Sequence, residues 1–339
     1  MRHMDRTRLE NIIENFKDIS LLVVGDLMLD EFIWGKVSRI SPEAPVPVVW
    51  VTSESTMPGG ASNVANNVRS LGGKVYLAGI VGNDDRGNTL LEKLRGIGID
   101  VEGVLCDDNR PTIVKTRVIA HHQQVVRIDR EKEKDIGEEF IERMVCFAKK
   151  VIDTIDAVII EDYGKGVIVP RLIKELIRLA RRHKKVIVVD PKESHFSYYR
   201  NATAITPNHY EAAQAVGEKI KENVSLERIG NKLLKQLNCD TVLMTLGESG
   251  MYVFEKSGRK KKIPTVAQDV YDVSGAGDTV ISTYALAIAA GAENIEAAHI
   301  ANCAAGIVVG KVGIAVVCRD ELVKKIDEVI AAQQKRGKR

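Results

Sequence analysis

The chain has 339 residues, 45% of them hydrophobic and 28% charged, enough apolar matter to bury a full core, which excludes disorder over its whole length. Its 49 basic and 46 acidic residues leave a formal net charge of +3 and are spread along the sequence, so no nucleic-acid-binding stripe is expected and a small polyanionic ligand fits better. Five cysteines, at 106, 146, 239, 303 and 318, are odd in number and form no C-x-x-C pair, which argues against a disulfide framework or zinc site and predicts reduced thiols in a cytoplasmic protein.

Residues 1–17 are charged throughout and lack the apolar core of a secretory signal. Within them Leu9, Ile12, Ile13 and Phe16 recur at helical spacing, so a helix opens the chain. Short β-branched runs follow at 21–24, 75–81, 157–160, 186–189 and 242–244, separated by stretches of helical period. Runs apolar on both faces belong to sheets covered on both sides, which predicts an α/β class with a mainly parallel central sheet in one domain over 1–339. The runs at 32–37 and 46–51, and again at 112–119 and 125–129, have no helix between them and predict a small β-sheet. With segments at about 31–57 and 110–130, that sheet is placed to act as a lid, because ligands of open α/β sheets sit at strand carboxyl ends. Its exposed edges would be covered by pairing two lids, so a homodimer is expected. His121 and His122, adjacent on an expected strand, would point to opposite faces and do not share a metal. The apolar stretch 280–292 contains Ser282, Thr283 and Tyr284 and is shorter than the ~20 residues of a bilayer span, so no membrane segment is expected. The basic tail at 335–339 reads as solvated.

Two glycine-bearing segments carry chemistry. The string 272–279, Asp-Val-Ser-Gly-Ala-Gly-Asp-Thr, precedes an apolar run that reads as a helix ended by Gly291. Backbone N–H groups at such a helix start point outward where the helix dipole adds positive charge, so Gly275, Ala276 and Gly277 suit an anion hole for a phosphoryl group. A carboxylate there repels the phosphate unless it accepts a proton from an attacking hydroxyl, which makes Asp278 the candidate base; the plainer alternative is a helix cap. An ordinary Asp pKa of ~3.9 makes a weak base, sufficient if the proton leaves late. Gly59 and Gly60 open a second helix running to about residue 71. They let backbone approach a ligand, and Asn63 offers a donor and an acceptor for sugar hydroxyls, unless this is only a glycine turn with Asn on a solvated face. Asn208 and Glu211, taken alone, read as a helix cap and the closing residue of a capping box.

Together the segments at 59–67 and 272–279 resemble the paired signatures of the ribokinase-like, or PfkB, carbohydrate kinases, and the likeness runs from Val24, Gly25 and Asp26 to Ala301, Asn302 and Gly306. The resemblance implies a ribokinase-like fold with ATP as phosphoryl donor and Mg²⁺, the ion and phosphates being organised through water by Asn208 and Glu211. Such a hard cation keeps oxygen ligands and several waters. It also implies nucleotide-pocket roles for Thr245, Gly247 and Asn302, and a sugar pocket made by Asp30, Gly59, Gly60 and Asn63. Within the family, the segments 26–30, 38–47, 162–166 and 190–192 resemble the D-glycero-β-D-manno-heptose 7-phosphate kinases, which phosphorylate C1 on the route to ADP-heptose for lipopolysaccharide. Some members carry a C-terminal adenylyltransferase; no His-x-Gly-His string occurs here, so adenylyl transfer is expected of another protein. A sugar phosphate calls for cations, and Arg39, Lys115, Arg117, Arg127 and Lys192 are candidates, Arg39 and Lys192 foremost. Ser274 stands where many relatives have Thr, and Glu161 where a small residue is common. The alternatives are a family kinase for a ketose phosphate, a 2-keto-3-deoxy sugar acid or ribose, and a non-catalytic sugar or nucleotide sensor. Neither G-x-G-x-x-G after a strand nor G-x-x-x-x-G-K-[ST] occurs, so dinucleotide and P-loop readings lack support.

Overall fold

A computed structural model describes residues 5–121, 123–218, 225–267, 269–311 and 313–337, with side chains of the last helix up to residue 332. His122 and the end of the basic tail therefore lie outside the described residues. The strands are β1 (Ser20–Gly25), β2 (Leu27–Ile40), β3 (Pro47–Gly60), β4 (Lys74–Gly82), β5 (Asp100–Asp107), β6 (Ile113–Ala120), β7 (Gln123–Arg130), β8 (Ala157–Glu161), β9 (Val186–Asp190), β10 (Ala204–Ile205), β11 (Thr241–Thr245), β12 (Met251–Glu255) and β13 (Lys260–Ile263). The helices are α1 (Arg6–Glu14), α2 (Ala61–Ser70), α3 (Asp85–Gly96), α4 (Glu138–Val151), α5 (Pro170–Arg182), α6 (His209–Ala215), α7 (Leu226–Leu237), α8 (Ala276–Ala289), α9 (Asn294–Val308) and α10 (Arg319–Gly337).

The main sheet runs in the order β13-β12-β11-β10-β9-β8-β1-β4-β5. It is parallel from β11 to β5, and β12 and β13 turn antiparallel at one edge. β1, buried at every position, shows why an unbroken apolar run makes a central strand. Its period of two sends Leu21 and Val23 into one core and Leu22 and Val24 into the other. The first core is closed by α1, α2, α3, α8, α9 and α10, through residues such as Leu9, Val64, Leu90, Ile281, Ala301 and Leu322. The second is closed by α4, α5, α6 and α7 through Met144, Leu172, Ala212 and Leu233. α5 shows the local logic: Pro170 presets its first turn, and Leu172, Ile173, Leu176, Ile177 and Ala180 form one buried face.

The small sheet has the order β3-β2-β6-β7, with β2 and β6 parallel. β2 follows β1 after the single residue Asp26 and runs well beyond the expected 32–37, because Leu27, Met28 and Leu29 are buried against the main domain while its distal half emerges. β3 returns the same way and passes directly into α2 at Gly60, which has φ 54. His121 sits in the turn between β6 and β7 with φ 50 and its Nε2 against the backbone of Val37, so it lies on a turn and not on the expected strand. β5, β10, β12 and β13 lie outside the expected runs. β13 is Lys-Lys-Lys-Ile at the sheet edge and β10 has two residues, so backbone pairing alone defines them. No helix among the described residues is long and apolar enough to cross a membrane.

Candidate active site

The carboxyl ends of β8, β9 and β11 meet the start of α8 around a cavity of about 290 Å³. Gly275 caps α8 with φ 75 and makes no side-chain cap bond, so Asp278, in the first turn, is not the cap of the plainer reading. A left-handed φ here favours glycine, and an added Cβ would stand 3.0 Å from the Asn63 amide nitrogen. Asp278 is 5% exposed and lines the cavity with Gly275 and Gly277. Asn63 Nδ2 donates to its Oδ2 at 2.6 Å and the Tyr163 hydroxyl to its Oδ1 at 3.0 Å. Burial pushes the Asp278 carboxyl up to about 6, while these two donors pull it down. The carboxyl thus lies above the ordinary value expected from sequence, closer to the range in which a group can take a proton near neutral pH.

Asn63 faces Asp278 because α2 and α8 are stitched together by buried polar groups. Thr279 Oγ1 donates to Asn67 Oδ1 at 3.0 Å, Asn67 Nδ2 to the Asn63 carbonyl at 2.9 Å, and Ser282 Oγ to the Val64 carbonyl at 3.1 Å. Asn63 and Asn67 of this helix thus serve the interior and not a solvated face.

Asp30, expected from sequence in the sugar pocket, is 3% exposed and ion-paired with Arg117 of β6. Gly59 is needed beside it, since an added Cβ would run into the Asp30 carboxylate. Among the other cations, Lys192 lines the cavity and pairs with Glu193 at 3.1 Å. Lys115 lies 3.5 Å from Asp129, and Arg127 binds Asp129 at 2.9 Å, so both are engaged on the small sheet. Arg39 is not brought to the site. It is exposed near the far end of β2, nine residues beyond Asp30, a strand length of about 30 Å.

Asn208, Glu211 and Thr245 line the cavity. Asn208 and Glu211 also form the complete capping box of α6, with Glu211 Oε2 accepting from the Asn208 N–H at 2.8 Å. Gly247 and Asn302 stand outside the cavity wall. Gly247 opens the turn Gly247–Ser249, and Asn302 donates to the Pro264 carbonyl at 2.8 Å. No three His, Cys, Asp or Glu side chains gather into a metal cage among the described residues. One cavity-facing carboxylate, Glu211, and one amide, Asn208, fit an ion that keeps its waters and takes further ligands from nucleotide phosphates.

Sequence reasoning assigned no role to several residues of this wall. Glu161 is 1% exposed at the end of β8, in register with Asp190 of β9. Asp190 is half-buried as a residue, but its carboxyl is enclosed by Glu161 and by Thr206 Oγ1, which donates at 2.9 Å. Burial pushes both carboxyls up, Asp190 to about 8 and Glu161 well above the usual carboxylate range, which favours the protonated forms of the pair. The available signal was charge placed directly after an apolar strand run, where open parallel sheets hold their ligands.

Residues 18–320 match the model of the pfkB family of carbohydrate kinases. The chain is 48% identical over 321 residues to the bifunctional protein HldE of Desulfatibacillum aliphaticivorans, covering 94% of this chain and 66% of that protein. It is 46% identical over 320 residues to the bifunctional protein HldE of Geobacter metallireducens, covering 94% and 65%. The chain thus spans just under two thirds of the length of these relatives. Among solved structures, phosphofructokinase-2 from Escherichia coli in complex with potassium matches with a TM-score of 0.75 at 17% identity, over 92% of this chain and 99% of that one. Ribokinase of Arabidopsis thaliana, complexed with ribose and ATP, matches with 0.71 at 19%, over 91% and 98%. At such identities the likeness establishes the ribokinase-like fold, while the family rests on the sequence match: the chain belongs to the pfkB carbohydrate kinases and is an ATP-dependent phosphotransferase.

Proposed function

We propose that the chain transfers the γ-phosphoryl group of ATP to the C1 hydroxyl of D-glycero-β-D-manno-heptose 7-phosphate, giving the 1,7-bisphosphate on the way to ADP-heptose for lipopolysaccharide. The observation that carries the chemistry is the buried Asp278 carboxylate at the cavity wall beside Gly275 and Gly277. The heptose rests on the resemblance of the segments 26–30, 38–47, 162–166 and 190–192 to that branch of the family.

In this reading Asp30, held by Arg117, binds sugar hydroxyls above Gly59 and Gly60, and Lys192 meets a phosphate. Backbone N–H groups at the start of α8 cradle the migrating group. The C1 oxygen attacks the γ-phosphorus, the bond to the ADP oxygen breaks, and the hydroxyl proton passes to Asp278. Two donors occupy two of the carboxylate's roughly four lone-pair sites, which leaves room for that proton. A bound magnesium ion would neutralise phosphate charge, with Asn208 and Glu211 holding it through water. The exposed apolar Trp50, Val126 and Ile128 of the small sheet support a homodimer joined through it, working in the cytoplasm.

An ADP-release assay over heptose 7-phosphate, fructose phosphates, ribose and 2-keto-3-deoxygluconate tests the substrate, with the highest kcat/KM expected for the heptose. Preference for another sugar rejects the substrate but spares the family, and no ADP release with any of them favours a sensor. Asp278→Asn is expected to lose about 10²- to 10⁴-fold in kcat while still binding ATP. Near-normal turnover in that variant removes Asp278 from the reaction.

A further inference from the structure

We propose that Tyr163 is a positioning residue for Asp278, its hydroxyl holding one carboxylate oxygen so that the group faces the incoming sugar hydroxyl. The proposal rests on Asp278 being the base, and it adds a residue from a different part of the chain, 115 positions away.

Tyr163 lies on the loop between β8 and α5, and that loop is built with unusual rigidity for a connection. Asp26, fully buried between β1 and β2, accepts from three of its backbone N–H groups: Tyr163 at 3.0 Å, Lys165 at 3.1 Å and Val167 at 3.1 Å. Asp162 takes the Gly164 N–H at 2.7 Å on one oxygen, and the Tyr199 hydroxyl at 2.6 Å and His195 Nδ1 at 2.8 Å on the other. Lys165 then reaches across to the segment leaving β7, with Nζ 2.6 Å from Glu131 and 2.5 Å from Glu133. The backbone carrying Tyr163 is therefore tied to the core by buried carboxylates and to the small sheet by an ion pair. A phenol so placed is a fixed donor, and the loop links the sheet over the sugar pocket to the base beneath it.

The choice of a phenol has a physical reason. Asp278 is faced by Asp30 from β2, Glu161 from the end of β8 and Asp190 from the end of β9, with Glu211 and Lys192 across the cavity. In that acidic setting a second lysine would be drawn to several carboxylates, whereas a neutral donor stabilises the one oxygen it touches. The charge of Asp278, then burial and the carboxylates of Glu161 and Asp190, raise the Tyr163 hydroxyl well above its ordinary value, so it remains a donor over any working pH.

The test is the pH profile of kcat for Tyr163→Phe beside the unmodified enzyme, using the sugar that the substrate assay selects. Activity falls as pH drops through the pKa of the base. Loss of a donor to the charged form raises that pKa, so the acid limb is expected to move about one unit to higher pH. Phosphates of the substrates titrate near 6 as well, so the difference between the two proteins is the readout. A limb that stays in place, whatever the rate, overturns the proposal and leaves Tyr163 as wall packing. ATP affinity and melting temperature, expected to stay close to wild type, separate this from a folding defect; loss of both in the variant also counts against a positioning role. Asp278→Asn separates the two assignments. If it keeps activity the base is wrong, whereas its inactivity together with an unmoved Tyr163→Phe profile sinks only the role of Tyr163.

Discussion

Asp278 and Asp30 are buried carboxylates close enough to act on each other, with different partners. Asp30 has a guanidinium as partner and Asp278 has only neutral donors. Burial raises both carboxyls, but the Arg117 guanidinium pulls Asp30 back toward its anion, which suits hydrogen-bond acceptance from sugar hydroxyls, while Asp278, without a cationic partner, is better able to take a proton. Gly59 protects this division, because the space a Cβ would need is filled by the Asp30 carboxylate. Gly59→Ala is therefore expected to raise the KM for the sugar by about tenfold or more, the scale of one lost charged hydrogen bond, and to leave the KM for ATP within about twofold. Steady-state kinetics with each substrate varied in turn checks this, and an unchanged sugar KM would mean that Asp30 does not touch the sugar. At this scale the local strings spoke clearly: Gly59, Gly60, Asn63, Gly275 and Asp278 lie within two short segments whose residue types already demand a close backbone approach and a proton acceptor. The bond from Asn63 to Asp278 spans 215 positions, and no local pattern could announce that a presumed sugar ligand holds the proposed base.

The small sheet shows what an element can do when only half of it is buried. β2 begins against the core and runs outward, β3 returns to the core, and β7 is exposed at all eight of its positions. Two-layer packing is missing there, and Trp50 at 75% exposure and Ile128 at 54% are costly to leave in water. Light scattering at micromolar concentration is expected to give the mass of a dimer, and Trp50→Glu combined with Ile128→Asp the mass of a monomer. A monomeric unmodified protein would reject the pairing. Alternation of apolar residues located these strands in the sequence, but their length was underestimated, because Leu27, Met28 and Leu29 look like part of a core strand until the chain is seen to change sheets at Asp26. The same geometry removes Arg39 from the site of its own chain: the proline-rich segment that most resembled one branch of the family lies at the distal end of the sheet.

For the whole molecule, the Glu161 and Asp190 pair couples the site to stability. Both carboxyls bind protons more tightly folded than unfolded, so their contribution to stability is greatest at low pH and is lost as pH rises from about 4 toward the folded value of about 8 for Asp190. Glu161 Oε2 is buried without a hydrogen-bond partner, a position costly for an anion and tolerable for a protonated acid. Glu161→Gln is expected to melt about 2 °C above the unmodified protein at pH 8, the scale of ~1 kcal/mol in a large domain, and level with it at pH 5. Thermal melts at the two pH values check it, and an equal difference at both would show that Glu161 is not held protonated in the folded protein.

The sequence by itself determined the α/β class, the central strands, the outlying sheet and the two glycine segments, because periodicity and turn chemistry are properties of neighbours along the chain. Edge strands such as β13, the true extent of β2 and the wall residues Glu161, Tyr163 and Asp190 were decided only by tertiary structure. Backbone pairing, burial and the enclosure of one carboxylate by another depend on residues outside any local window, in places more than a hundred positions apart, as Asp26 with Tyr163 and Tyr163 with Asp278 show.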